Sequence, residues 1–195
     1  MDRDQSVRYS GLVPRPPTPG LRDRLLTVAG QLFYERGMSA VGMAEIVEKA
    51  GCGKNAAYRL FPSKSSLVAA YLSEFGARRE AQTASAIEGL RDDPAAALHA
   101  YVAEVVSQAR QPRFVGCAIR NYLREARAKD DEPVRIARSW LTDSREALRA
   151  LVAQLDVKDP DLLADQIWLV VEGVYAGGPA DAALTLTHRL LDDAG

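Results

Sequence analysis

Apolar positions recur along this chain with the spacing of helices. Leu21, Leu25, Val28, Leu32 and Phe33 form one stripe at helical period. Thr18 is placed to cap that helix with Pro19 at its first position, and Gly37 is placed to stop it. Met43, Ile46, Val47 and Ala50 repeat the i, i+3, i+4, i+7 pattern over a short helix that Gly51 ends. A third short helix fits residues 54–60, closed by Pro62. Beyond it, Pro62, Pro94, Pro112, Pro133, Pro160 and Pro179 each precede or open a helical stretch, because helix starts tolerate proline and helix interiors do not. This predicts helices over residues 64–90, 94–110, 114–129, 133–155, 160–176 and 179–193. Alternating β-branched runs are absent and no internal repeat is seen. The expected fold is all-α with about nine helices, the first three short.

Composition narrows the class. At 195 residues the chain fits one domain or one with a small appendage, and 47% apolar with 26% charged residues is ordinary for a globular protein. No stretch approaches the roughly 20 apolar residues of a membrane-spanning helix, and the basic N-terminus lacks the apolar core of a secretory leader. Cys52 and Cys117 are too few for a disulfide framework, so a reducing, cytoplasmic setting is expected. The net charge of −1 conceals an asymmetry: residues 1–64 carry 10 Lys/Arg and 6 Asp/Glu, whereas residues 65–195 carry 15 and 20. A basic front on an acidic body is the pattern of a protein whose front meets a polyanion. Residues 1–18, with Pro14, Pro16, Pro17, Arg3, Arg8 and Arg15, are expected to form a loose arm, either a plain leader or a contact to phosphates or a minor groove.

The informative stretch runs from Met43 to Lys64. Two short helices joined by Gly51-Cys52-Gly53 have the form of a helix-turn-helix. A left-handed glycine sets the crossing angle, and Ile46, Ala50 and Ala57 fill the space between the helices. The outer face of the second helix, with Lys54, Asn55 and Arg59, is then free to enter a major groove.

With its flanks, this stretch resembles the tetracycline-repressor (TetR) family of bacterial transcription regulators. The matching run is Gly37, Ile46, Ala50-Gly51, Lys54, Tyr58-Arg59-Leu60-Phe61-Pro62-Ser63-Lys64 and Leu67. The resemblance implies domains of 19–66 for DNA binding and 67–195 for ligand binding and dimerisation. It implies a phosphate contact by the Tyr58 hydroxyl and another by Lys64, with Lys54, Asn55 and Arg59 reading bases or backbone, and it places Gly42, Met43 and Ala56 at the DNA-facing surface. Four positions depart from the pattern. Gly42 stands for a Thr or Ser at the start of the second helix, Ala44 for a polar residue, Gly53 for a capping Ser, and Ala56 for a Thr. Each removes a polar contact, although helix-start N–H groups still favour an anion.

A helix-turn-helix reads few base pairs, so specificity is expected from a homodimer on palindromic double-stranded DNA with half-sites about 34–36 Å apart or a multiple of it. The helix from Pro160 is apolar on more than one face, through Leu163, Ile167, Val170, Val171 and Val174, and Leu184, Leu186 and Leu190 extend the patch in the last helix. One face packs its own domain and the other a partner, unless this is simply the centre of a monomeric bundle. The family forms a four-helix bundle from these two helices of each protomer.

A second expectation is a pocket for an apolar or aromatic effector. Tyr71, Phe75, Tyr101, Phe114, Tyr122, Trp140, Trp168 and Tyr175 are candidate walls or core, and Asn121, Gln166 and Glu172 candidate polar groups. Cys117, at a helix start, is a buried small residue or a sensor thiol. No cofactor or metal is expected: His99 and His188 lack metal-ligand spacing, and no phosphate loop or dinucleotide fingerprint occurs. An enzyme is not expected. The leading expectation is a ligand-responsive repressor; the alternative is a helical small-molecule sensor with weakened DNA contacts.

Overall fold

Among the residues that the computed structural model describes, 20–126 and 130–195, every regular element is a helix. They are α1 (Leu21–Arg36), α2 (Met43–Lys49), α3 (Lys54–Leu60), α4 (Lys64–Ile87), α5 (Pro94–Ala109), α6 (Ala118–Glu125), α7 (Glu132–Val152), α8 (Pro160–Tyr175) and α9 (Ala180–Ala194). The expected arm, and Thr18 and Pro19 as cap and first helical residue, lie outside the described residues. Helix α1 instead begins at Leu21, after Gly20 at φ 71°.

Three of the long helices begin on one local rule. Asp93, Asp131 and Asp159 each accept the backbone N–H three residues on, at 2.9, 3.3 and 3.0 Å, and a proline occupies the first or second helical position. The carboxylate satisfies an orphan donor, and proline sits where its missing N–H costs nothing. Helix α4 starts on a reciprocal pair, Ser63 and Ser66, each side chain accepting the other's backbone N–H.

The sixth helix corrects the expected span of 114–129. Pro112 opens no helix. Arg113 at φ 67° and Gly116 at φ 95° keep the chain irregular until Ala118. Gly116 is required there: a Cβ would lie 2.9 Å from the Tyr175 carbonyl oxygen. Helix α4 ends at Ile87, short of residue 90, just before Gly89 at φ 81°.

Helices α1 to α3 make a head, with Leu25, Ile46, Ala57, Phe61 and Leu67 buried where they meet the start of α4. Helices α4 to α9 make a body in which α4 packs on α5 and α7, α8 on α7 and α9, and α5 on α9. Leu98, Val102, Ile119, Val134, Leu163 and Ile167 are fully buried at its centre. Helix α4 belongs to both, and Phe33 of α1 meets its Tyr71 edge-on with ring centroids 5.6 Å apart.

Candidate nucleic-acid interface and ligand cavity

In the head, the turn between α2 and α3 is built as the glycine spacing requires. Gly51 takes φ 58°, the left-handed region, and its N–H and that of Cys52 bond back to the Glu48 and Val47 carbonyls. Ile46, Ala50 and Ala57 are buried between the two helices. The face of α3 turned away from them carries Lys54, Asn55, Tyr58 and Arg59, all exposed, with the Lys54 Nζ 5.9 Å from the Tyr58 ring centroid. Ala56 is half-buried and Gly42 exposed. Neither Gly42 nor Gly53 supplies a side-chain cap.

Met43 corrects one expectation. Its side chain is buried in the head core, so it offers the DNA-facing surface no side-chain contact. Lys64 is half-buried, and its Nζ donates to the Ser39 carbonyl at 3.3 Å, which fixes the start of α4 to the α1–α2 loop. Arg36 donates to Glu45 at 2.5 Å; this hydrogen bond holds the Glu45 carboxyl below the usual range and ties the end of α1 to α2.

That loop is also held from the body. The carboxylate of Glu125, the last residue of α6, accepts the Met38 N–H at 3.3 Å and the Ser39 N–H at 2.8 Å. The Tyr34 hydroxyl accepts the Val115 N–H at 3.0 Å. The sequence reading missed Glu125: its partners lie more than 80 residues away, and nothing local marks it.

In the body, α4, α5, α6, α7 and α8 line a half-open cavity of about 270 Å³. Of the expected aromatic walls, Tyr101, Trp140, Trp168 and Tyr175 come together around it. Tyr71, Phe75 and Tyr122 do not. Tyr71 and Phe75 sit side by side against α1, and the Tyr122 hydroxyl donates to Asp131 at 3.4 Å. Phe114 packs behind Tyr175 at 6.4 Å, and Asn121 is engaged with the Val115 carbonyl at 2.8 Å. Cys117 is buried, and Gln166 faces away on the outer side of α8.

Two buried arginines in the cavity wall were not expected. Arg79 donates to Tyr175 Oη at 3.0 Å and to Glu104 at 3.3 Å. Arg120 lies over the rings of Tyr175 and Trp168, at 4.5 and 5.2 Å, and donates from Nε and Nη2 to Glu172, at 2.8 and 2.5 Å. Burial is the largest single influence on Arg120 and opposes its charge, but the Glu172 hydrogen bonds and charge, together with Cys117, raise its pKa on balance. Burial likewise raises the Tyr101 and Tyr175 phenols, which stay neutral through the physiological range. No short-range pattern announces these arginines, since Arg120 and Glu172 are 52 positions apart.

The outer side of α8 and α9 is apolar and uncovered. Leu162, Leu169 and Leu186 are 55, 69 and 47% exposed, and Val170, Leu184 and Leu190 are partly so. Leu163, Ile167, Val171 and Val174, expected at a partner interface, are instead buried on the inner face of α8. That face is one turn-stripe of the helix, and the residues between them make the outer one. His99 and His188 come within 5.6 Å, but no group of three or more His, Cys, Asp or Glu gathers among the described residues. No helix among them is long and apolar enough to cross a membrane.

A left-handed glycine turn, a small buried core between α2 and α3 and a polar outer helix face define a helix-turn-helix DNA-binding head, here joined to a cavity-bearing helical body. The family model of bacterial regulatory proteins of the tetR family matches residues 25–71. Two uncharacterized HTH-type transcriptional regulators of Mycobacterium tuberculosis are 42% identical over 50 residues, covering 26% of this chain and 25% of theirs. The chain thus matches about a quarter of the length of those curated relatives. A solved structure of a TetR transcriptional regulator assigned in Streptomyces avermitilis is 32% identical over 89% of this chain and 97% of that one, with TM-score 0.75. A TetR-family regulator of Streptomyces coelicolor shares the fold at TM-score 0.84 and 24% identity, over 89% and 95%. The chain belongs to the TetR family of transcriptional regulators.

Proposed function

We propose that this protein represses transcription by binding a palindromic operator as a homodimer and that a small molecule in the body cavity releases it. The observation that carries the reading is the pairing of the exposed α3 face (Lys54, Asn55, Tyr58, Arg59) with a second, aromatic-walled site in the body. Helix α6 supports communication between the two, because Arg120 stands in the cavity wall and Glu125 holds the loop before α2. A ligand that favours one position of α6 biases the head by its differential affinity for the two arrangements. The uncovered α8–α9 face supports the homodimer.

With this reading goes a division into a DNA-binding domain over 19–66 and a ligand and dimerisation domain over 67–195. A second reading, a small-molecule sensor with weakened DNA contacts, is favoured by the uncapped starts of α2 and α3 at Gly42 and Gly53. Selection of fragments from random DNA, with affinity measured at two salt concentrations, separates the two. An operator reader enriches a palindrome and loses affinity steeply with salt; the sensor enriches none. Lys64→Ala is expected to weaken binding to all sequences about equally.

A further inference from the structure

Helices α4 and α7 run side by side in the same direction, and they do not close on one another along their whole length. Toward the head they touch: a Cβ on Gly76 would stand 2.7 Å from the Trp140 ring. Farther along, the seam opens. Ser144 and Ala147 of α7 line the body cavity opposite Thr83, Ala84 and Ile87 of α4. Beyond them, Leu151 and Gln154 line a second hollow opposite Ala84, Ser85 and Ile87.

This second hollow is an open groove of about 810 Å³, and it shares Ala84 and Ile87 with the cavity. On α7 the two are lined by one stripe, Trp140, Ser144, Ala147 and Leu151, at the three- and four-residue steps of a single helix face. Cavity and groove are therefore two parts of one trough. At a rise of about 1.5 Å per residue, its length from Trp140 to Leu151 is about 16 Å, and Gln154 lies past that end. Packed helices normally bury the side chains between them. Here Ala84 and Ala147 line the same cavity from opposite helices, yet both stay exposed. These small residues leave the middle of the seam unfilled, and apolar surface left wet in this way favours whatever covers it.

The trough holds no unanswered buried charge. Arg79 and Arg120 in the cavity wall are engaged by Glu104 and Glu172. Glu80, Glu88 and Arg91 are exposed at the rim, where water and salt screen them. The uncharged polar groups are the hydroxyls of Thr83, Ser144 and Ser85 and the amide of Gln154, each able both to donate and to accept.

We infer that cavity and groove together hold one long, uncharged amphiphile. Its apolar chain lies along the α4–α7 seam from the aromatic end at Trp140 and Trp168, and its hydrogen-bonding end group meets Ser85 and Gln154. This deepens the proposed function, resting on the body cavity as the effector site, and names the effector's class: a straight-chain alcohol or a similar neutral molecule, rather than a compact ring or an ion.

The test uses the full chain and the probes hexan-1-ol, decan-1-ol, dodecan-1-ol, dodecanoate and dodecylammonium, each below its solubility limit. Trp140 and Trp168 are the chain's two tryptophans and both line the cavity, so tryptophan emission reports its occupancy. Affinity is expected to rise about three- to fourfold per added methylene, and dodecan-1-ol to bind tighter than either charged analogue. Ser85→Phe and Ala81→Phe place a ring in the groove from exposed positions that the cavity does not use. Each is expected to leave hexan-1-ol binding unchanged and to reduce the advantage of dodecan-1-ol over it at least tenfold. The second variant keeps the test decisive if the first does not fold. Affinity that stops rising at hexan-1-ol, an advantage unchanged in both variants, a charged analogue binding as tightly as dodecan-1-ol, or no binding of any probe would overturn the inference. Operator affinity is read in parallel. Groove-dependent binding that leaves DNA affinity unmoved keeps the inference and removes the ligand-response reading. Release of the operator by hexan-1-ol, with no gain from longer chains, does the reverse.

Discussion

At the scale of single residues, two glycines in this chain do opposite work. Gly116 sits at φ 95° with a Tyr175 carbonyl oxygen where a Cβ would stand, so no side chain fits without moving the end of α8. Gly116→Ala is expected to destabilise the protein by more than about 1 kcal/mol, since both the left-handed backbone and the close approach oppose it. The midpoint of urea unfolding measures this; an unchanged midpoint would show that the irregular segment before α6 is not held as described. Gly53 is different. Its φ of −73° and ψ of 139° suit a serine cap, and nothing lies within 4 Å of an added Cβ. Gly53→Ser is expected to change stability by only a few tenths of a kcal/mol and to tighten operator binding by restoring a hydroxyl beside the groove. Electrophoretic titration checks it, and weaker binding would count against that placement of the α3 start. Burial also leaves a signature in pH. Tyr71 is pushed up to about 12, chiefly by desolvation, from an ordinary value of 10.0. A raised phenol favours the folded state below its unfolded pKa, and that contribution is lost as pH rises through the folded one. Stability is therefore expected to fall between about pH 10 and 12, and Tyr71→Phe should flatten that fall; an identical alkaline profile would place the loss elsewhere.

At the scale of elements, what was legible in the sequence is what is local. Proline marks the starts of α5 and α8 because its signal lies within the first turn itself; the aspartate caps before them emerge only in the structure. The α2–glycine–α3 unit was legible for the same reason: Ile46, Ala50, Gly51 and Ala57 lie within a dozen positions, and all take the expected roles. Helix α6 was misjudged because Pro112 resembled the other punctuating prolines, whereas the backbone is governed by Gly116 meeting the distant end of α8. The two faces of α8 were not separable either. Leu163 and Leu162 are both leucine, and only the packing of α5, α7 and α9 decides that the first is buried and the second 55% exposed. The arginines of the cavity escaped notice because an isolated Arg reads as surface until its Glu partner is brought up by the fold. Helix α6 invites a direct test at this scale. Glu125→Gln removes the charge that holds the Met38 and Ser39 N–H groups. It is expected to leave ligand affinity in place and reduce the effect of ligand on DNA affinity severalfold. An unaltered coupling would show that α6 does not carry the signal.

At the scale of the whole molecule, the account joins a reading head, a cavity and an exposed apolar face. In the proposed dimer, that face is what presents two heads together. Leu169, 69% exposed at the middle of outer α8, is the residue whose change should cost the fold least and the assembly most. Leu169→Arg is expected to yield a folded monomer by analytical ultracentrifugation, with operator affinity reduced by at least tenfold, because half-site contacts no longer add. A folded variant that stays dimeric would move the interface elsewhere. The central claim, that the α3 face reads DNA sequence, is tested most directly by selecting bound fragments from a random pool with the wild type and with Asn55→Ala. The account predicts a palindromic motif for the wild type and a changed base preference in each half-site for the variant. Failure of the wild type to enrich any sequence, or an identical motif from both proteins, would contradict it.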